Sequence, residues 1–97
     1  MKGYVIARVS VTDPEQYKKY TARTPDSIAR HGGRFVVRGG DTTTVEGDEE
    51  SHRVVVIEFD SLEKAKAWYH SDEYTEIRKL REHASTGQVI LIEGAPN

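Results

Sequence analysis

Residues 4–11, Tyr4-Val5-Ile6-Ala7-Arg8-Val9-Ser10-Val11, followed at once by Thr12-Asp13-Pro14, decide the fold. The run is rich in β-branched residues and ends in a helix-start signal, so it reads as a strand that feeds directly into a helix. Side chains of a strand alternate between its two faces. One face here is Val5, Ala7, Val9 and Val11, wholly apolar; the other is Tyr4, Ile6, Arg8 and Ser10, a mixture. A sheet with one solvated face alternates apolar and polar residues cleanly, and this strand does not.

Asp13 is placed to cap the helix, Pro14 suits its first position, and Gln16 stands where a capping box would close. Tyr17, Tyr20, Thr21, Thr24 and Ile28 then recur at helical steps until Gly32-Gly33. Pro25 removes a backbone donor within that run, which predicts a kink or break at Thr24-Pro25-Asp26. Arg34-Phe35-Val36-Val37-Arg38 is a second strand, and Gly39-Gly40 suits a bulge or sharp bend. Thr42 to Val45 is expected to resume as an extended edge, with Glu46-Gly47-Asp48-Glu49-Glu50-Ser51 as a solvated hairpin loop. Arg53 to Phe59 is a third strand, and Ser61 caps a second helix with the stripe Leu62, Ala65, Trp68 and Tyr69. Ser71-Asp72-Glu73 starts a further segment, with Tyr74, Ile77, Leu80 and Ala84 on one side and Gly87 as its expected end. Gln88 to Glu93 is the last strand.

The order βαββαβ predicts one α+β domain over residues 1–97, ferredoxin-like, with a four-stranded antiparallel sheet and the helices on one face. The first and third strands are read as neighbours running in parallel. Val55, Ile57 and Phe59 oppose Val54, Val56 and Glu58 on the third strand, and the fourth is apolar on both faces, Val89 and Leu91 against Ile90 and Ile92. Something must cover the second face, and the chain has no spare element. A second copy packed sheet to sheet, a homodimer, is the expected answer.

Composition narrows the remaining classes. Hydrophobic residues are only 36% of the 97, and adding the eight glycines still leaves the apolar share below the ~45–50% of ordinary domains. The core of a single chain is therefore thin. Fourteen Lys and Arg against sixteen Asp and Glu, scattered in sequence, give a net charge of -2 and no footprint for nucleic acid. No run approaches the ~20 apolar residues of a membrane span, so no membrane partner is expected and a cytoplasmic location is. With no cysteine, disulfides, thiolate nucleophiles and Cys-ligated metal are excluded.

Three motifs carry a family resemblance. Gly32-Gly33-Arg34-Phe35-Val36-Val37-Arg38-Gly39-Gly40, Arg53-Val54-Val55-Val56-Ile57-Glu58-Phe59-Asp60-Ser61 and Ala67-Trp68-Tyr69-His70-Ser71-Asp72-Glu73-Tyr74, with Glu93-Gly94 at the end, resemble the bacterial family called domain of unknown function 1330. Asp72 departs from the proline common there. The resemblance implies the dimeric α/β-barrel superfamily, ferredoxin-like subunits whose sheets pack face to face, which also holds cofactor-independent monooxygenases and isomerases. It carries no catalytic residue over to this chain.

Strict alternation points Arg8, Arg34, Arg38 and Glu58 into the space between two sheets. Buried charges must be paired. Arg8, Arg34 and Glu58 are thus read as an ion-pair network that fixes the dimer register, while the surplus of arginine could also hold a ligand's carboxylate or phosphate. His31, Arg38, Tyr69, Tyr74 and Arg78 are the candidate ligand-binding residues; Trp68 is assigned to the core, and His70 and Arg81 to solvent. The four histidines, at 31, 52, 70 and 83, lack metal-ligand spacing, so no metal and no cofactor is expected. Two functions remain: a small-molecule-binding homodimer, in its catalytic form a cofactor-independent monooxygenase- or isomerase-like enzyme on a small organic substrate with an anionic one in view, or a non-catalytic module whose charges specify dimerisation.

Overall fold

The computed structural model describes residues 1–96. Four strands, β1 (Gly3–Val11), β2 (Arg34–Arg38), β3 (Arg53–Phe59) and β4 (Ser85–Glu93), form one sheet in the order β2-β3-β1-β4. Every pairing is antiparallel. The first and third strands are therefore adjacent as expected but run in opposite directions, because the crossover helix after β1 returns the chain one strand further out. Helices α1 (Pro14–Arg30), α2 (Leu62–Tyr69) and α3 (Asp72–Arg78), with a 3-10 turn at Lys79–Arg81, cover one face. The fold is the predicted α+β, ferredoxin-like arrangement.

Local chemistry explains the helix ends. Asp13 accepts the Gln16 amide at 3.2 Å. Gln16 does not close the box, since the Asp13 N–H already donates to the Ala84 carbonyl at 3.1 Å, and the Gln16 side chain donates instead to Leu80. At the other end Gly32, with φ 78°, donates to Ala29 and Gly33 donates to Ile28, a Schellman closure that needs glycine's left-handed freedom. Ser61 and Ser71 cap α2 and α3 through the amides of Lys64 and Tyr74.

Pro25 does not break α1, which runs 17 residues through it. A proline there leaves the Thr21 carbonyl without its helical donor. The Thr24 hydroxyl at 3.4 Å and the Arg38 guanidinium at 3.2 Å supply donors instead. Two other expectations are corrected. Thr42 to Val45 is not strand: the chain leaves the sheet at Gly39, φ 69°, and rejoins it only at Arg53. Gly87 ends no helix, because the helical segment finishes at Arg81 and Gly87 sits inside β4 opposite Val9.

The core lies between helices and sheet. Trp68, 1% exposed, packs against Phe59 and Tyr74 and donates its indole N–H to Ser27 of α1 at 2.8 Å. Among the described residues no helix covers the opposite face, where Val36, Ile90 and Ile92 are 56%, 42% and 47% exposed. The molecule measures 34 × 31 × 16 Å. That slab shape raises its accessible surface to 6273 Å², above the roughly 5600 Å² that mass scaling gives for a rounder chain of this size.

The Trp68–Ser27 bond joins two buried groups, so removing one partner exposes its cost. Ser27→Ala is expected to lower unfolding stability by about 1–3 kcal/mol, measured by urea denaturation. A change within error of zero would show that the indole finds another acceptor.

Candidate functional site

One residue sets which side chains meet. Along β2 and β3 the pairs are Arg34 with Glu58 and Phe35 with Ile57, then a bulge, then Val37 with Val56 and Arg38 with Val55. The extra residue, Val36, shifts the alternation by one, so Arg34 and Arg38 point to opposite faces. Arg38 therefore lies on the helix side and not between sheets as strict alternation predicts.

On the helix side is a cavity of about 40 Å³ whose walls are mostly apolar, among them Val5, Ala7, Val9, Val55, Ile57 and Val89. Its polar lining is Tyr17, Tyr20, Thr21, Thr24, Tyr74, Arg38, Arg53 and Arg81. Ala7 and the β-branched residues at the sheet centre leave this space below α1. Tyr20 and Tyr74 share a hydrogen bond between their hydroxyls at 2.6 Å, and Arg81 lies over the Tyr20 ring at 5.5 Å. Burial, then the neighbouring Tyr74 hydroxyl, push the Tyr20 pKa far above the ordinary phenol value. At neutral pH Tyr20 is a protonated phenol, a hydrogen-bond donor in an apolar setting.

Of the five ligand-binding candidates, the structure places Arg38 and Tyr74 in this cavity. Tyr69 and Arg78 line a separate groove of about 450 Å³ on the outside, with Arg78 stacked 4.7 Å above the Tyr69 ring; Arg81 borders both spaces. His31 lies elsewhere, as the α1 C-cap, its Nδ1 2.9 Å from the Ser27 carbonyl. Arg81, assigned to solvent by sequence, is half-buried. Arg53 and Tyr20 were not among the candidates. Arg53 and Arg81 had a signal: Arg53 is in phase with Val55 and Ile57, and Arg81 follows Ile77 by four residues and Tyr74 by seven.

The outer face carries the acidic and basic pairs. Arg34 donates to Glu58 at 2.8 Å and to Asp60 at 3.2 Å, and the Tyr4 hydroxyl donates to Glu58 at 2.9 Å. Arg8 does not join them, because it pairs opposite Val54, four residues along β3 from Glu58. Its guanidinium instead holds Glu50 with two hydrogen bonds at 3.1 Å, and Glu50 also accepts from the His52 amide at 3.0 Å. Glu50 is thus the anchor of its loop and not a solvated residue. Among the described residues no three His, Asp or Glu side chains gather as a metal set would.

Residues 2–95 match the model of the family described as domain of unknown function (DUF1330). The chain belongs to that family. No curated protein matches it. Among solved structures it is similar to RPA0582 of Rhodopseudomonas palustris, a protein of unknown function, at TM-score 0.76 and 18% identity over 99% of this chain and 84% of that one. It is also similar to SnoaB, a cofactor-independent oxygenase from Streptomyces nogalater, at TM-score 0.69 and 18% identity, covering 99% and 95%. An ethyl tert-butyl ether degradation (EthD) family protein of Bacillus halodurans follows at TM-score 0.54 and 13% identity, covering 98% and 99%. At these identities the likeness is one of fold.

The hydrogen bond from Tyr4 and then the pairing with Arg34 hold the Glu58 carboxyl below the usual range. A carboxylate lowered on folding adds stability above its unfolded pKa, near ~4.3, and loses it as pH falls through the lower folded value. Acid titration of unfolding stability in DUF1330-family Glu58→Gln should therefore give a shallower acid limb than the parent. An identical slope would show that Glu58 is not linked to folding.

Proposed function

We propose that this DUF1330 protein is a small-molecule-binding homodimer whose ligand occupies the cavity between helices and sheet. The observation that carries the reading is the cavity itself. An apolar chamber below α1 holds a hydrogen-bonded phenol pair and guanidinium groups, whereas a chain with a purely structural role would gain stability from filling that space with hydrocarbon. The chemistry on offer is hydrogen-bond donation and stabilisation of developing negative charge on a small organic substrate. Such a set suits a cofactor-independent oxygenase or isomerase, in which the substrate supplies its own reactive electrons and the protein positions and desolvates it. SnoaB, a cofactor-independent oxygenase of similar fold, is in keeping with that reaction type.

Pairing with a second copy is supported by the outer face. Val37, Val56, Ile6 and Ile90 form one row across all four strands, with Ile92 beside it. The Arg34–Glu58 and Arg8–Glu50 pairs flank this row. An apolar centre with a charged rim is the anatomy of a protein interface.

Two measurements test the proposal. Light scattering after size exclusion should give twice the 11.0 kDa chain mass, and Ile90→Lys should shift the protein toward the monomer; a parent of single-chain mass at micromolar concentration overturns the dimer. A thermal-shift screen of small organic compounds should yield ligands whose binding weakens at least about tenfold in Ala7→Leu, which fills the cavity. Absence of any ligand sensitive to Ala7→Leu would leave the non-catalytic reading.

A further inference from the structure

The charge inventory of the cavity is one-sided. Arg38, Arg53 and Arg81 all line it, and no Asp or Glu does. Of the five arginines elsewhere three find carboxylates: Arg8 with Glu50, Arg30 with Glu73, Arg34 with Glu58 and Asp60. Among the described residues none of the three cavity arginines has such a partner. Arg38 spends one nitrogen on the Thr21 carbonyl and stacks its guanidinium 4.3 Å from the Phe35 ring centre. Arg81 is set against the faces and hydroxyls of tyrosines. Arg53 is the least satisfied, because its Nε is buried without any hydrogen-bond partner.

That arrangement is specific. Gly39 leaves room for the Arg53 head group, since a Cβ there would lie 2.0 Å from Nη1. An arginine cannot shed its charge to relieve the situation. Two half-buried guanidinium groups, Arg53 and Arg81, one with an orphaned N–H, beside the exposed Arg38, favour an anion at this place.

We propose that the cavity selects a small monocarboxylate with an apolar body, its carboxylate held by Arg53 and Arg81 and its hydrocarbon part against Val5, Ala7, Val55 and Ile57. This rests on the cavity being the ligand site and adds the ligand's chemical class. The planar guanidinium fork fits a carboxylate edge-on in a bidentate manner. The apolar walls match a short hydrocarbon body, and a space of about 40 Å³ does not admit a sugar or a nucleotide. The pairing also explains why neutral core packing was not used here: the arginines supply recognition where aliphatic residues would supply stability.

The test uses the purified full chain and two matched pairs of probes small enough for the cavity, acetate against acetamide and propionate against propionamide, titrated by amide-resolved NMR. Each acid should bind at least about tenfold more tightly than its amide, the size expected for one hydrogen-bonded ion pair. Arg53→Gln should reduce acid binding by a similar factor and amide binding by much less, so that the preference for acid over amide is lost, and Arg81→Gln, read the same way, covers the case in which the first variant misfolds. Ala7→Leu should abolish both. Equal binding of acid and amide, sensitive to Ala7→Leu, overturns the carboxylate class while the cavity remains a ligand site. If neither probe binds and the compound screen is also empty, the cavity reading itself fails and this one with it.

Discussion

The hydrogen bond from Trp68 to Ser27 is the constraint on which the rest of the structure depends. It is wholly buried and joins α1 to α2 above the sheet, so the two helical segments cannot slide independently without leaving an indole N–H unpaired. Phe59, Tyr69 and Tyr74 pack around the same ring, and Tyr74 in turn reaches Tyr20 on α1. One end of α1 is thus held close to the sheet by aromatic packing. Beyond it, where the sheet presents Ala7 and valines, the helix spans a space that small side chains do not fill.

The two faces of the sheet answer different demands. On the helix side the polar groups are few, converge on one chamber and are mostly donors. On the outside they are balanced, with Arg34, Lys2 and Lys64 around Asp60 and Glu58, and Arg8 around Glu50. Exposed pairs of this kind contribute little energy each, roughly 0–1 kcal/mol, so their value lies in geometry. They frame the apolar row and fix how another surface could meet it.

Much of this was legible in the sequence because the signals were local and periodic. Capping residues Asp13, Ser61 and Ser71, the alternation of β1 and the paired glycines at 32 and 33 each act within a few residues, and the fold follows from them. The errors share another origin. Pro25 looked like a helix breaker because its remedy, Arg38, comes from 13 residues away in a different element. Glu50 looked solvated because Arg8, 42 residues away in sequence, comes to it only after the loop folds back. Arg53 and Arg81 were readable by period-two and period-3.6 counting, but Arg81 was assigned to solvent and Arg53 given no role, whereas both border an apolar chamber.

The single extra residue in β2 has the largest reach of any local feature. A strand is a two-phase code in which odd and even positions address different surfaces, and Val36 changes phase part-way along. Before it the strand speaks to the outer surface through Arg34; after it the same residue type, four positions on, addresses the inner chamber through Arg38. Length in this strand is therefore informational, not merely structural. Losing one residue would leave composition, charge and strand propensity nearly unaltered while transferring a guanidinium from the chamber to the surface. Among relatives, a one-residue difference at this place would separate proteins by what they hold and how they associate, even where the aligned arginines look the same.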